Sequence, residues 1–139
     1  MTAAADAEVR AVVAVSPFVG LNDYVTWGTK NAKTGTLWYR ELKILEEIYG
    51  SQVNSKEYNE RSPATKKIQS PVLLLQGTAD HHVSWETVQM FYQQMKAANK
   101  VVKFVLYPGG HHGLHGQYSI QSTQEIDAWF HKYGLSGNF

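Results

Sequence analysis

Two short stretches of this 139-residue chain end in side chains suited to moving a proton. In LLLQGTADHHVSW, residues 73–85, an apolar run leads into Gly-Thr-Ala-Asp and sets the carboxylate of Asp80 on a glycine turn. In LYPGGHHGLHG, residues 106–116, a second apolar run leads into paired glycines and His112. A carboxylate can accept a hydrogen bond from one imidazole nitrogen. That fixes the tautomer and stabilises the imidazolium formed when the other nitrogen takes a proton from a nucleophile. Gly77, Gly109, Gly110 and Gly113 permit the tight turns and close backbone approach such a pairing needs. A plainer reading has Asp80 capping the helix that follows and His112 as a loop histidine. Taken alone, these residues leave both readings open.

For Asp80 and His112 to meet, the segments before them must be neighbours. Three apolar runs read as buried strands: residues 9–15 (VRAVVAV), 72–75 (VLLL) and 101–107 (VVKFVLY). Near-continuous Val and Leu, rather than strict alternation, points to strands covered on both faces, as in a parallel sheet. Helical stripes lie between and after them. Trp38, Leu42, Leu45 and Tyr49 share one face of residues 36–49, and Gly50 offers a stop. Val88, Phe91, Met95 and Ala98 do the same in residues 84–98, with Ser84 as N-cap. Ile126, Trp129, Phe130 and Tyr133 form a third stripe in residues 119–133, ended by Gly134. The order predicts an α/β fold, a parallel sheet of about three strands flanked by helices. Catalytic groups in such sheets gather at the carboxyl ends of the strands, so Asp80 and His112 are expected on one edge. Residues 17–35, with Gly20, Gly28 and Gly35, and the polar residues 51–70 read as long connections.

Composition bounds the remaining classes. One domain spanning residues 1–139 is expected, and that length can bury a core. A hydrophobic fraction of 43% and an aromatic fraction of 12% are globular values. A net charge of +1 with mixed signs shows no footprint for nucleic acid or an anionic membrane. There is no cysteine, hence no disulfide framework or thiolate chemistry. No apolar run approaches the ~20 residues of a membrane span. Asp6 and Glu8 stand where a signal peptide needs a basic segment, so a cytoplasmic location is the default expectation.

The segment SPVLLLQGTADHHVSWETVQMFYQQMKAANKVVKFVLYPGGHHGL resembles the C-terminal third of the catalytic domain of the prolyl oligopeptidase family of serine peptidases, on the α/β-hydrolase fold. The family pattern is an apolar strand, Gly-x-x-Asp-x-x-Val, a helix, a Leu-Tyr-Pro-like turn and His-Gly. Those positions are Gly77, Asp80, Val83, Tyr107, Pro108, His112 and Gly113 here. The upstream YNERSPATKKIQSPVLLL and RAVVAVSPFVGLNDY also match, so the likeness runs from about residue 9 to residue 133. Dienelactone hydrolases and acyl esterases share the Asp and His spacing. The resemblance implies Asp80 as triad acid, His112 as general base, a peptide or small ester as substrate and no cofactor.

It also implies a serine earlier in the chain, at a Gly-x-Ser-x-Gly elbow between strand and helix. None of Ser16, Ser51, Ser55, Ser62, Ser70, Ser84, Ser119, Ser122 and Ser136 has glycine on both sides in that pattern. Ser16 follows a strand but precedes Pro17, which removes a backbone donor where the elbow's helix would open. The family's elbow precedes the segment matching Val9, so the expectation is a catalytic-domain portion without the nucleophile and oxyanion hole. The rivals are a fragment of an esterase or dienelactone hydrolase, and a truncated non-catalytic binding protein. The strand between Val9 and Val15 is expected to expose an edge open to self-association. His81, His82, His111 and His115 join His112 on two loops; solvated histidines are expected there, not a zinc site. Trp38, Tyr39, Tyr49 and Tyr58 are expected to pack in the core or a lid.

Overall fold

The computed structural model describes residues 3–134; Ser136 lies outside them. Three parallel strands form one open sheet, β1 (Val12–Val15), β2 (Val72–Gly77) and β3 (Val102–Tyr107), in the order β1-β2-β3. Val12 pairs with Val72, and Val72 with Val102. Five helices accompany the sheet: α1 (Leu21–Asn31), α2 (Leu37–Tyr49), α3 (Lys56–Glu60), α4 (Trp85–Ala97) and α5 (Ser119–Lys132). This is the α/β layering expected from the alternation of apolar runs and stripes.

The run VLLL has no polar face because it serves two cores. Successive strand residues point to opposite faces. Val72 and Leu74 join Val88, Phe91 and Met95 of α4 in one cluster. Leu73 and Leu75 join Tyr107, Leu114 and Trp129 of α5 in the other. These four β2 side chains, Val72 to Leu75, are fully buried. Each such side chain contributes about 1.5–3 kcal/mol relative to exposure, so β2 is the fixed element beneath the loops that follow it. A third cluster, Leu21, Val25, Leu42 and Tyr58, joins α1, α2 and α3 beside the sheet.

Two of the expected connections are partly helical. Residues 17–35 contain α1 and residues 51–70 contain α3. Two of the three glycines that suggested loops, Gly20 and Gly28, serve close packing instead. A Cβ on Gly28 would lie 3.3 Å from Leu42 Cδ1, so its absence lets α1 approach α2. Gly20 has φ +136°, and a Cβ there would lie 2.8 Å from Pro63 Cδ. The first strand is also shorter than the apolar run. Its ladder starts where Val12 N donates to Pro71 O, while Val9 N bonds locally to Asp6 O. Thr36 caps α2, its Oγ1 accepting from Tyr39 N at 3.2 Å. Ser84 stands at the N-cap of α4 but accepts no cap bond; its hydroxyl donates to Glu86 Oε2 at 2.6 Å. No helix among the described residues is long and apolar enough to cross a membrane.

At the carboxyl edge a Cβ on Gly77 would lie 2.0 Å from Gly110 O. Gly77→Ala should therefore lower unfolding free energy by more than about 3 kcal/mol. Gly109→Ala, where φ is +72° but the space is open, should cost only about 1–2 kcal/mol. Urea denaturation of both variants checks the ordering; equal losses would contradict the close approach. β1 pairs on one side only, so its other edge carries no strand among the described residues. Such an edge invites pairing with another chain. Size-exclusion over a concentration series is expected to show mass rising with concentration, and a monomer throughout would refute this.

Candidate active site

The loops after β2 and β3 are stitched together by backbone. Thr78 N donates to Tyr107 O at 3.0 Å, Ala79 N to Gly110 O at 2.9 Å, and Gly109 N to Thr78 Oγ1 at 2.7 Å. Beyond them, Leu114 is 1% exposed and anchors the second loop in the α5-side core. Gly113, at φ +75°, turns the chain between His112 and that anchor. Its N–H donates to Ser16 Oγ at 2.9 Å, tying the loop to the end of β1. The three strands thus deliver Ser16, Asp80 and His112 to the same edge.

Asp80 is 2% exposed. Its Oδ1 accepts from His82 N at 2.8 Å and Val83 N at 2.9 Å. Its Oδ2 accepts from Gln76 Nε2 at 3.0 Å and lies 2.9 Å from His112 Nδ1. Burial pushes the Asp80 carboxyl up, but the bonds from Val83, His82, Gln76 and His112 outweigh it and hold the group below the ordinary aspartate value of 3.8. An ionised carboxylate only accepts, so Nδ1 carries a proton, and in the neutral imidazole the lone pair sits on Nε2. The His112 side chain is 50% exposed, and Nε2 has no hydrogen bond among the described residues. The carboxylate is hidden while the far edge of the imidazole stays open. Asp80 makes no cap bond to α4; the helix-cap alternative does not describe its contacts.

The other histidines do not join this pair. His111 Nδ1 faces Ala79 O at 3.2 Å. His82 packs edge-on against His112 with ring centroids 5.1 Å apart, and His81 lies 6.2 Å from His111. Among the described residues, no three histidines or carboxylates are grouped to hold a metal ion. Ser16 has φ +48°, is 6% exposed, and has no hydrogen bond to His112. Tyr58 is buried with its hydroxyl on Gly50 O, Trp38 stacks edge-on against Trp27, and Tyr49 lies under Arg61. A cleft of about 980 Å³ opens between Phe18–Gly20 and Arg61–Ile68, and neither Asp80 nor His112 lines it. The sequence reading missed Gln76. Its signal was a lone polar residue closing an apolar strand.

Asp80→Ala would leave the donors of His82, Val83 and Gln76 without their acceptor. The expected loss at neutral pH is roughly 3 kcal/mol. Because the folded-state value is depressed, Asp80's contribution is complete above the unfolded value of about 3.9 and fades as pH falls through the folded one. The gap between wild type and Asp80→Ala in urea unfolding should narrow over that acid range. A constant gap would mean that the carboxylate charge contributes nothing.

Comparison with known proteins finds relatives of the chain as a whole. The chain is 26% identical over 122 residues to the acylamino-acid-releasing enzyme of Arabidopsis thaliana, covering 86% of the chain and 15% of that protein. It is 27% identical over 105 residues to an Escherichia coli O157:H7 protein named as a carboxymethylenebutenolidase, covering 68% of the chain and 39% of that protein. The chain thus spans well under half the length of these relatives. Its fold matches that of the Pyrococcus horikoshii acylaminoacyl peptidase with a TM-score of 0.72 at 16% identity, over 99% of this chain and 22% of the other. A Mycobacterium tuberculosis puromycin-hydrolyzing peptidase gives a TM-score of 0.68 at 18% identity, over 96% and 20%. With a model of the prolyl oligopeptidase family matching residues 2–136, nearly its whole length, the chain belongs to that family.

Proposed function

We propose that this chain supplies the acid and the general base of a serine-type hydrolase that cleaves peptide bonds. Asp80 orients His112. His112 Nε2 takes the proton of a serine hydroxyl as its oxygen attacks the substrate carbonyl, then returns that proton to the leaving amine. Water enters by the same route: His112 removes its proton and the serine regains one as the acyl group leaves. The observation that carries the reading is the 2.9 Å bond from His112 Nδ1 to Asp80 Oδ2 in a chain of this family.

The serine of this scheme does not stand among the 139 residues in the setting that activates one. In the proposed reading it comes from a segment outside them, with the N–H donors that stabilise the oxyanion. The peptidase activity then belongs to that larger assembly. A second reading is hydrolysis of a carboxylic ester or enol lactone by the same acid and base. The match to the carboxymethylenebutenolidase-named protein favours it. The chemistry at His112 is unchanged, and only the leaving group differs.

A serine-directed fluorophosphonate probe tests the proposal. The 139-residue chain should not be labelled. A chain extended by the residues encoded upstream of Met1 should be labelled on one serine, and His112→Ala should slow that labelling by about 10³-fold or more. Turnover of an N-acylated peptide against an enol lactone then separates the two hydrolase readings. Labelling of the short chain itself, lost in His112→Ala, would make Ser16 the nucleophile. Failure of both chains to react would refute the proposal and favour a non-catalytic binding protein.

A further inference from the structure

We infer that Gln76 is a positioning residue for the Asp80–His112 pair, holding Asp80 Oδ2 where His112 Nδ1 meets it. The inference rests on reading that pair as acid and base. Gln76 is the lone polar side chain of β2, one residue before its end at Gly77, and is 0% exposed. Its Nε2 faces three acceptors: Asp80 Oδ2 at 3.0 Å, Gly77 O at 3.1 Å and Val83 O at 3.2 Å. The amide cannot be reversed, because Oε1 would then meet three oxygens. Yet in the orientation it adopts, Oε1 is buried with no partner among the described residues. Buried acceptors are rarely left unpaired.

The two carboxylate oxygens are held unequally without Gln76. Oδ1 has two backbone donors, from His82 and Val83, on the same loop. Oδ2 would have only the His112 ring, which is half exposed and loop-borne. The Gln76 donor comes instead from β2, the most deeply buried strand, so it references Oδ2 to the sheet. His82 touches the His112 ring edge-on and bounds the imidazole, not the carboxylate.

The test is NMR on the full 139-residue chain with ¹⁵N-labelled histidine and glutamine, a readout that needs no nucleophile. In wild type, His112 should be the Nδ1–H tautomer with a slowly exchanging Nδ1 proton. The Gln76 side-chain amide should be protected at least tenfold over exposed glutamines. Gln76→Met keeps the volume and removes the donor; it should speed Nδ1–H exchange tenfold or more. Gln76→Glu, which sets an acceptor against Asp80 Oδ2, should speed it further. Met95→Ala, a core variant away from the pair, should melt lower without that change. Unchanged Nδ1–H exchange in Gln76→Met, or equal acceleration in Met95→Ala, overturns the positioning role. Surface-level exchange of the Gln76 amide in wild type overturns it with no variant at all. Absence of an Nδ1–H tautomer in wild type would overturn the acid–base reading itself, and the two failures are thereby separate.

Discussion

Gly77 and Gly110 meet backbone to backbone, with no room for even a methyl group between them. Everything at the carboxyl edge of the sheet is referenced to that contact. The parallel register sets Gly77 opposite Tyr107. From there the chain reaches Asp80 in three residues on one side, and from Gly110 it reaches His112 in two on the other. Backbone bonds from Thr78 to Tyr107 and from Ala79 to Gly110 lock the loops in phase. A side chain at Gly77 would separate the loops, and hydrogen bonds tolerate little of that: a stretch well beyond about 3.2 Å is no longer one. The Asp80–His112 geometry is therefore a property of two strands and two glycines before it is a property of its own side chains.

Burying a carboxylate carries a cost that its own partners must offset. Asp80 meets it with donors of three kinds: loop backbone at His82 and Val83, a strand side chain at Gln76, and the imidazole of His112. The first three are in place whatever the ring does. The carboxylate is consequently charged and fixed before any proton moves, which is the condition for stabilising an imidazolium without reorganisation. The half-exposed ring keeps its other nitrogen within reach of solvent. One loop hides the carboxylate and the other presents the imidazole, with the sheet edge as their common datum.

How much of this could be read from the sequence follows the same physics. Val72 to Leu75 announced a strand buried on both faces, because no polar residue interrupts it, and two cores do claim it. Asp80 and His112 were legible as a pair through the family resemblance; the glycines beside them left a helix cap and a loop histidine equally open, and their hydrogen bond depends on two loops distant in sequence. Helix α1 was not legible: Gly20 and Gly28 suggest a loop locally, and their use in packing against Pro63 and Leu42 depends on segments distant in sequence. Ser84 looked like a cap, but a carboxylate two residues on took its hydroxyl. Gln76 escaped for the opposite reason. A glutamine at a strand end is unremarked until its neighbours across the turn are known.

Ser16 shows how the third strand enters the site. Its φ of +48° is uncommon for a residue with a side chain, and it falls where β1 ends. The conformation lets Ser16 N close the ladder onto Leu75 O at 2.8 Å while Oγ accepts from Gly113 N. One residue thus joins β1 to β2 through its backbone and to the histidine loop through its side chain. Losing the hydroxyl would free Gly113 N and loosen the turn that carries His112. In this structure Ser16 therefore serves to hold the loop that carries His112. A hydroxyl that makes no hydrogen bond to His112 in this structure is not placed to pass its proton to that ring. The open side of His112 is the solvent-facing one, and in the proposed reading the attacking serine arrives there.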